Sequence, residues 1–316
     1  LSNVALESSK GHMSRLTYVE EVEFDTVRLP GEEDKVDVDF KVKEQPSGSF
    51  NAGIGYGDRT KLSLQAGIQQ DNFLGTGKRL ALNLNTVSYQ RSATISYTDP
   101  YFTIDGISLG GTLFYSDFDA GNANLVQYKN KSWGIGANFG YPVDEYNRLN
   151  FGFTYRYNEI SQLQTYDQIR NFYDLFADAD NPDAGIEFNS YEFSAGWSRT
   201  TLNRGIFPTA GSSQRAVAKV TAPFSDVDYF KLSFDTRFYF PLSRDQRWSV
   251  LARLELGYGN GYGDIDGNDQ ILPFWDNFRA GGSDSLRGFE SNTVGPRAIY
   301  RRPNTITAPD GSQIPL

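Results

Sequence analysis

The side chains that could do chemistry in this chain are few: one histidine (His12), no cysteine, and 39 acidic against 30 basic residues. Thiolate metal sites and disulfides are therefore excluded, and a zinc centre or a Ser-His pair has almost no material. His12 sits in a short polar stretch and reads as a solvated surface residue. The acidic pairs Glu32-Glu33 and Asp178/Asp180 could in principle serve acid–base work, but both lie in loops without a partner base. Arg253 and Glu255 alternate on one strand and read as pairing along a polar wall. The acidic loop Asp264–Asp269 reads as solvated, with contact to lipopolysaccharide or a divalent cation as the alternative. No catalytic residue, metal site or cofactor is expected. A net charge of −9 argues against a surface that tracks nucleic-acid phosphates, so no nucleic-acid partner is expected.

What remains is chemistry done by strands. Aromatic residues make up 15% of the chain, with 19 Tyr and 23 Phe, yet the mean hydropathy is −0.49. A barrel in a membrane predicts this mixture, because its outer face is apolar, its interior polar and its rims aromatic. No run of 18 apolar residues is present, so no transmembrane helix is expected. The start, Leu1-Ser2-Asn3-Val4, does not have the form of a signal peptide.

Residues 1–45 differ from the rest. Ala5–Val19 reads as a short helix with Leu6, Met13, Leu16 and Val19 on one face. The stretches 21–27 and 36–42 alternate around a turn at 30–34 and read as a hairpin too small to bury a core alone. From Ser49 onward the period is two. Phe230, Leu232, Phe234, Phe238 and Phe240 face Lys231, Ser233, Asp235 and Arg237 across the strand. Val250, Ala252, Leu254 and Leu256 likewise oppose Arg253, Glu255 and Gly257. About eleven such segments follow one another, near 50–58, 61–70, 78–88, 91–99, 107–117, 131–141, 148–159, 189–200, 212–222, 229–241 and 247–259. Many exceed the roughly 5–6 residues typical of soluble strands. Short connections at 71–77, 99–106, 142–147 and 241–247 fall between longer ones at 118–130, 160–188 and after Asn260. That parity suits a membrane barrel with short turns on one side and long loops on the other. Residues 168–176 read as a short helix whose aromatics pack a loop onto the rim.

Five motifs occur in order. They are Ser47–Gly57, Gln69-Gln70-Asp71-Asn72-Phe73-Leu74-Gly75-Thr76-Gly77, Asp99-Pro100-Tyr101-Phe102, Gly205-Ile206-Phe207-Pro208-Thr209, and Phe278–Phe289 with its Leu286-Arg287-Gly288-Phe289. Together they resemble the outer-membrane protein assembly factors, POTRA-plus-barrel proteins of the bacterial surface antigen superfamily, from about Ala5 to Tyr300. The resemblance implies that 1–45 is the end of the last POTRA domain, in the periplasm. It makes 46–316 an all-β transmembrane antiparallel barrel in the outer membrane of a Gram-negative cell. Family barrels have on the order of sixteen strands, so about five, with a terminal aromatic residue, are expected beyond Leu316.

The same resemblance makes Leu286, Arg287, Gly288 and Phe289 the tip of loop six, folded into the lumen, with Arg287 meeting acidic residues on later strands. A buried guanidinium needs such partners, and Gly288 is expected to let the backbone turn where a side chain would clash. The first strand, with Phe50, Asn51, Gly53, Ile54, Gly55, Tyr56 and Gly57, would form a weak seam, since glycine weakens a strand. Its unpaired edge could take up a strand of an unfolded outer-membrane precursor and pass the growing client into lipid. Glycines that merely permit curvature are the plainer alternative. The implied partners are such precursors, assembly lipoproteins bound through POTRA surfaces, outer-membrane lipid and lipopolysaccharide. The alternative within the superfamily is a secretion transporter exporting a polypeptide through its pore. A passive diffusion porin would instead have an open lumen and no POTRA segment.

Overall fold

The computed structural model describes residues 2–14, 16–29, 36–57, 60–103, 105–123, 125, 128–161, 169, 172, 185–265, 268–283, 285–297, 305–307 and 313–315. Helix α1 (Asn3–Ser14) leads into a hairpin of β1 (Val19–Arg28) and β2 (Val36–Glu44). The helix stops five residues short of the expected Val19. From that residue the sequence alternates, and β2 supplies the strand partner: Val19 pairs with Glu44 and is buried, while Phe24 lies opposite Phe40. A partner strand outweighs an imperfect helical face.

The rest is one antiparallel sheet of eleven strands in chain order. They are β3 (Gly48–Gly57), β4 (Lys61–Gln70), β5 (Arg79–Val87), β6 (Gln90–Asp99), β7 (Ser108–Asp119) and β8 (Lys129–Pro142). β9 (Asn147–Ser161), β10 (Ile186–Thr200), β11 (Gly211–Thr221), β12 (Tyr229–Pro241) and β13 (Ser249–Gly261) complete it. Each falls on one of the eleven segments expected from the alternation. Lengths run from 9 residues in β5 to 15 in β9 and β10.

The register sorts side chains by chemistry. One row crosses eight strands as Phe50, Ile68, Leu82, Ile95, Leu113, Ile135, Tyr155 and Tyr191. The adjacent row on the other face reads Asn51, Gly67, Asn83, Thr94, Phe114, Gly134, Arg156 and Ser190. The apolar row is not a core. Phe50 is 70% exposed and Ile54 80%, and Leu113, Ile135, Phe151, Leu232 and Leu254 are also exposed. No second sheet covers this face among the described residues. In water so large an apolar surface would drive association; against lipid it is the stable arrangement.

The connections depart from the expected parity. At the end away from the hairpin, β3–β4 and β5–β6 are joined by residues 58–60 and 88–89 alone, shorter than the turns at the opposite end. Long loops at that end begin only after β7. The turn 71–78 holds Asn72, Leu74, Gly75 and Gly77 at positive φ, and Asn72 Oδ1 accepts the Gly77 N–H at 2.7 Å. At the end with the long loops, Ala120, Tyr128, Ile160, Ile186, Phe188, Val227, Tyr229 and Phe274 form a buried apolar cluster. Of the expected helix at 168–176, only Ile169 and Phe172 lie within the described residues. Both are helical and buried in that cluster; the rest of the expected helix lies outside the described residues.

Candidate functional site

Strand β3 forms one edge of the sheet, bonded to β4 on one side. Alternation divides its side chains. Phe50, Ile54 and Tyr56 project from the apolar face, all exposed, whereas Asn51, Gly53, Gly55 and Gly57 fall on the polar face. The polar face of this strand is thus almost bare. The side chains of Gln65 and Ser63, from β4, occupy the space a Cβ on Gly53 or Gly55 would take, at 2.8 and 2.7 Å.

At its inner end β3 is tied to the N-terminal segment through Asp71, in the β4–β5 turn. Thr17 Oγ1 donates to Asp71 Oδ2 at 2.7 Å, and Arg79 Nε donates to Oδ1. Ser47 Oγ donates to the Asp71 carbonyl, and the Asp71 N–H returns to the Ser47 carbonyl at 3.2 Å. Burial raises the Asp71 carboxyl, but the Thr17, Arg79 and Gln69 hydrogen bonds outweigh it and leave the pKa below the ordinary value. The expectation from the sequence did not include this junction, although Asp71 lies inside one of the five motifs.

After β13 the chain crosses onto the polar face. Phe274 and Trp275 enter the apolar cluster, with Phe274 5.0 Å from the Tyr128 ring and Trp275 5.0 Å from Phe188. The next residue, Asp276, meets Lys231 Nζ at 2.6 Å and Lys219 Nζ at 3.2 Å. Lys219 also reaches Glu192 at 3.2 Å, and Glu192 reaches Arg156 at 3.5 Å. Burial raises the Asp276 carboxyl, yet the two lysines overcome this and hold it at about 2. Sequence reasoning missed this ion cluster, because Asp276 is separated from its partners by 45 and 57 residues. Arg253 does pair along the wall as expected, with Asp235 at 3.4 Å and with Glu255.

Leu286, Arg287, Gly288 and Phe289 lie further along this segment, all exposed. Ala280 bridges Val294, Gly282 N–H donates to the Phe289 carbonyl at 2.9 Å, and Asn292 Nδ2 reaches the Ala123 carbonyl at 3.1 Å. Arg287 Nε donates to the Ser283 carbonyl at 3.4 Å. Gly288 has φ +93°, and a Cβ there would meet nothing within 4 Å. The left-handed backbone calls for glycine here, and no atom of the described residues stands where its Cβ would be. Asp264–Ile265 and Asn268–Asp269 form a minimal hairpin. Among the described residues no group of three or more potential ligands is placed to hold a metal.

An exposed apolar face, a polar face of amides, glycines and ion pairs, and long loops folded over one end define the wall of a transmembrane antiparallel β-barrel. The Omp85 superfamily domain matches residues 72–314, and the chain belongs to that superfamily. It is similar to the outer membrane protein assembly factor BamA of Neisseria meningitidis, at 34% identity over 92% of this chain and 36% of that protein. Similarity extends to BamA of Nitratidesulfovibrio vulgaris, at 26% identity over 92% of this chain and 34% of the relative. The crystal structure of BamA from Haemophilus ducreyi lacking POTRA domains 1–3 superposes with a TM-score of 0.83 and 36% identity, covering 96% of this chain and 57% of that one. CdiB from Escherichia coli shares the fold alone, at a TM-score of 0.55 and 15% identity, over 92% of this chain and 53% of that one. The chain is thus a BamA-like protein of the outer membrane, and it spans about a third of the length of these two curated relatives.

Proposed function

We propose that this chain is the central part of an insertase that folds β-barrel precursors into the outer membrane, with β3 as its lateral gate. The observation that carries the reading is the bare polar face of β3, the strand that opens the sheet. At a seam its edge presents unpaired N–H and C=O groups, while Gly53, Gly55 and Gly57 offer little side-chain packing to hold a permanent neighbour. A precursor strand can therefore add to Phe50–Gly57 by backbone hydrogen bonds, with Phe50, Ile54 and Tyr56 already facing lipid. Residues 1–45 are read as the end of the last POTRA domain, in the periplasm, and 46–316 as barrel. Leu286–Phe289 is read as a lumenal loop tip whose Arg287 pairs with carboxylates on strands outside this chain. The proposed partners are unfolded precursors, assembly lipoproteins on the POTRA side, and the lipid and lipopolysaccharide around the apolar face. No step asks for a catalytic centre.

The test is site-specific crosslinking in the full-length protein. Cysteines placed singly along 50–57 are expected to capture the terminal strand of a client bearing its own cysteine, with a period of two. Uniform failure at all positions, with the client still inserted, rejects the gate. Crosslinks to a moving polypeptide from lumenal positions only, such as Asn83 and Thr94, point instead to export through the pore.

A further inference from the structure

Lys219 and Lys231 stand directly opposite each other in the β11–β12 register. Like charges so placed repel and destabilise a sheet, and nothing on β11 or β12 themselves relieves the pair. Glu192 of β10 takes part of the Lys219 charge at 3.2 Å, and the relief that the two lysines share comes from the segment after β13. Each Asp276 carboxylate oxygen takes one lysine, Oδ1 from Lys231 and Oδ2 from Lys219, and Lys231 also donates to the Asp276 carbonyl at 2.7 Å. Both cations are further held against rings, Lys219 5.0 Å from the Tyr229 centroid and Lys231 4.7 Å from that of Phe278. Phe278 itself lies where a side chain on Gly257 of β13 would be: a Cβ there would stand 2.5 Å from the ring. From Phe274 to Phe278 the segment thus seats three rings and one carboxylate into the barrel wall.

We propose that Lys219 and Lys231 form a carboxylate clasp whose resident ligand is Asp276, and that this clasp positions the loop carrying Leu286–Phe289. Asp276 is a positioning residue. It touches no client, and it sets where the loop starts. The wall and the loop need each other, because an empty clasp leaves Lys231 facing Lys219 across a strand pair with Glu192 beside Lys219 alone, and a free Asp276 leaves a charge without partners in a partly apolar site. The segment therefore has one strongly preferred seat, with the apolar cluster on one side and Gly257 on the other. The proposal rests on the lumenal-loop reading only for the purpose it assigns to the clasp; the clasp itself stands on the geometry.

Spin labels at Ser233→Cys on the polar face of β12 and at Glu290→Cys beyond the loop tip report the seat in the full-length protein in lipid vesicles. The parent is expected to give one narrow distance distribution. D276N and D276K are expected to lose it, as is G257V, which displaces Phe278 without touching any charge. D276K combined with K231D keeps the same net charge and is expected to restore the narrow distribution. Heat-modifiable migration confirms that each barrel has folded, and D276N, with its isosteric side chain, serves if D276K does not fold. A narrow distribution that persists in folded D276N and G257V overturns the clasp, as does a D276K/K231D pair no better than D276K. Client insertion by the same variants is measured separately. Its outcome bears on the insertase reading, while the distances alone decide the clasp.

Discussion

The two flanks of the sheet are built to opposite standards of permanence. In β3–β6 the strands are 9 or 10 residues long, and their far ends are closed by residues 58–60 and 88–89. Among the described residues Ala81 is the one buried apolar side chain of these four strands, and their ion pairs, Arg79–Asp71 and Lys78–Asp99, sit at the inner rim. In β9–β13 the strands run from 11 to 15 residues. Their loops build the apolar cluster, and their polar face carries the Arg156–Glu192–Lys219–Asp276–Lys231 chain. One flank is therefore locked by side chains and the other is held mainly by backbone hydrogen bonds. If the wall opens as proposed, the flank without side-chain locks is the place where it does so.

Substitutions that empty the locked flank should break this contrast most visibly. Phe274 is buried among the rings of Tyr128, Phe172 and Trp275, so Phe274→Ala is expected to cost about 3–5 kcal/mol. Phe50→Ala, on the lipid-facing edge, removes no packed neighbour of that kind and should cost far less. Urea unfolding of the two variants in vesicles, followed by tryptophan fluorescence, checks the difference. Equal losses would remove the distinction between flanks.

Glycine substitutions give the next largest effect. At Gly261 a Cβ would run into the backbone carbonyl of Gln270, and backbone cannot step aside as a side-chain end can. Gly261→Ala is expected to destabilise by about 1–3 kcal/mol and to loosen the hairpin at Asp264–Asp269. Limited proteolysis after β13, compared with the parent, reads this out.

A smaller and pH-dependent effect is expected where β3 meets the N-terminal segment. Because the Asp71 carboxyl is held below its ordinary pKa, its contribution is fully present above the unfolded value and is lost as pH falls through the folded one. Asp71→Asn keeps the shape but removes the charge opposite Arg79. The variant should therefore lose the acid-induced step in the docking of residues 2–47. That step is measurable as an energy-transfer change between labels on α1 and on the β4–β5 turn. A step of the same size and midpoint in the variant would assign it to another group.

Most of the sheet could be read from period-two alternation, because register and burial obey the same rule: Leu62, Leu64 and Ile68 share a face in sequence and in space. The glycines of β3 were also legible, since they are local, whereas the place of β3 at a seam came only from the family resemblance. The clasp was not. Lys219 and Lys231 look like ordinary polar-face residues, and only the loop that returns from β13 gives them a common ligand. Helix α1 was overextended to Val19 for a related reason, as the strand partner that claims Val19 lies at Glu44.

The finest test of the contrast is a substitution expected to do almost nothing to stability. At Gly55 a Cβ would meet only the Ser63 hydroxyl, and at Gly53 the Gln65 side chain from its amide to its Cγ at 3.1 Å; the hydroxyl can rotate away and the Gln65 side chain must change rotamer. Neither glycine has a positive φ, so alanine costs no backbone strain. G53A/G55A should leave unfolding unchanged or raise stability by about 0.4–1 kcal/mol, through the lower entropy of the unfolded chain. If β3 is a gate, the same variant should insert clients more slowly, because a stiffer strand with side chains on its polar face is harder to exchange between partners. Faster or unchanged insertion, with stability unchanged, would mean that the glycines serve curvature alone and that the weakness of this flank lies in its short connections.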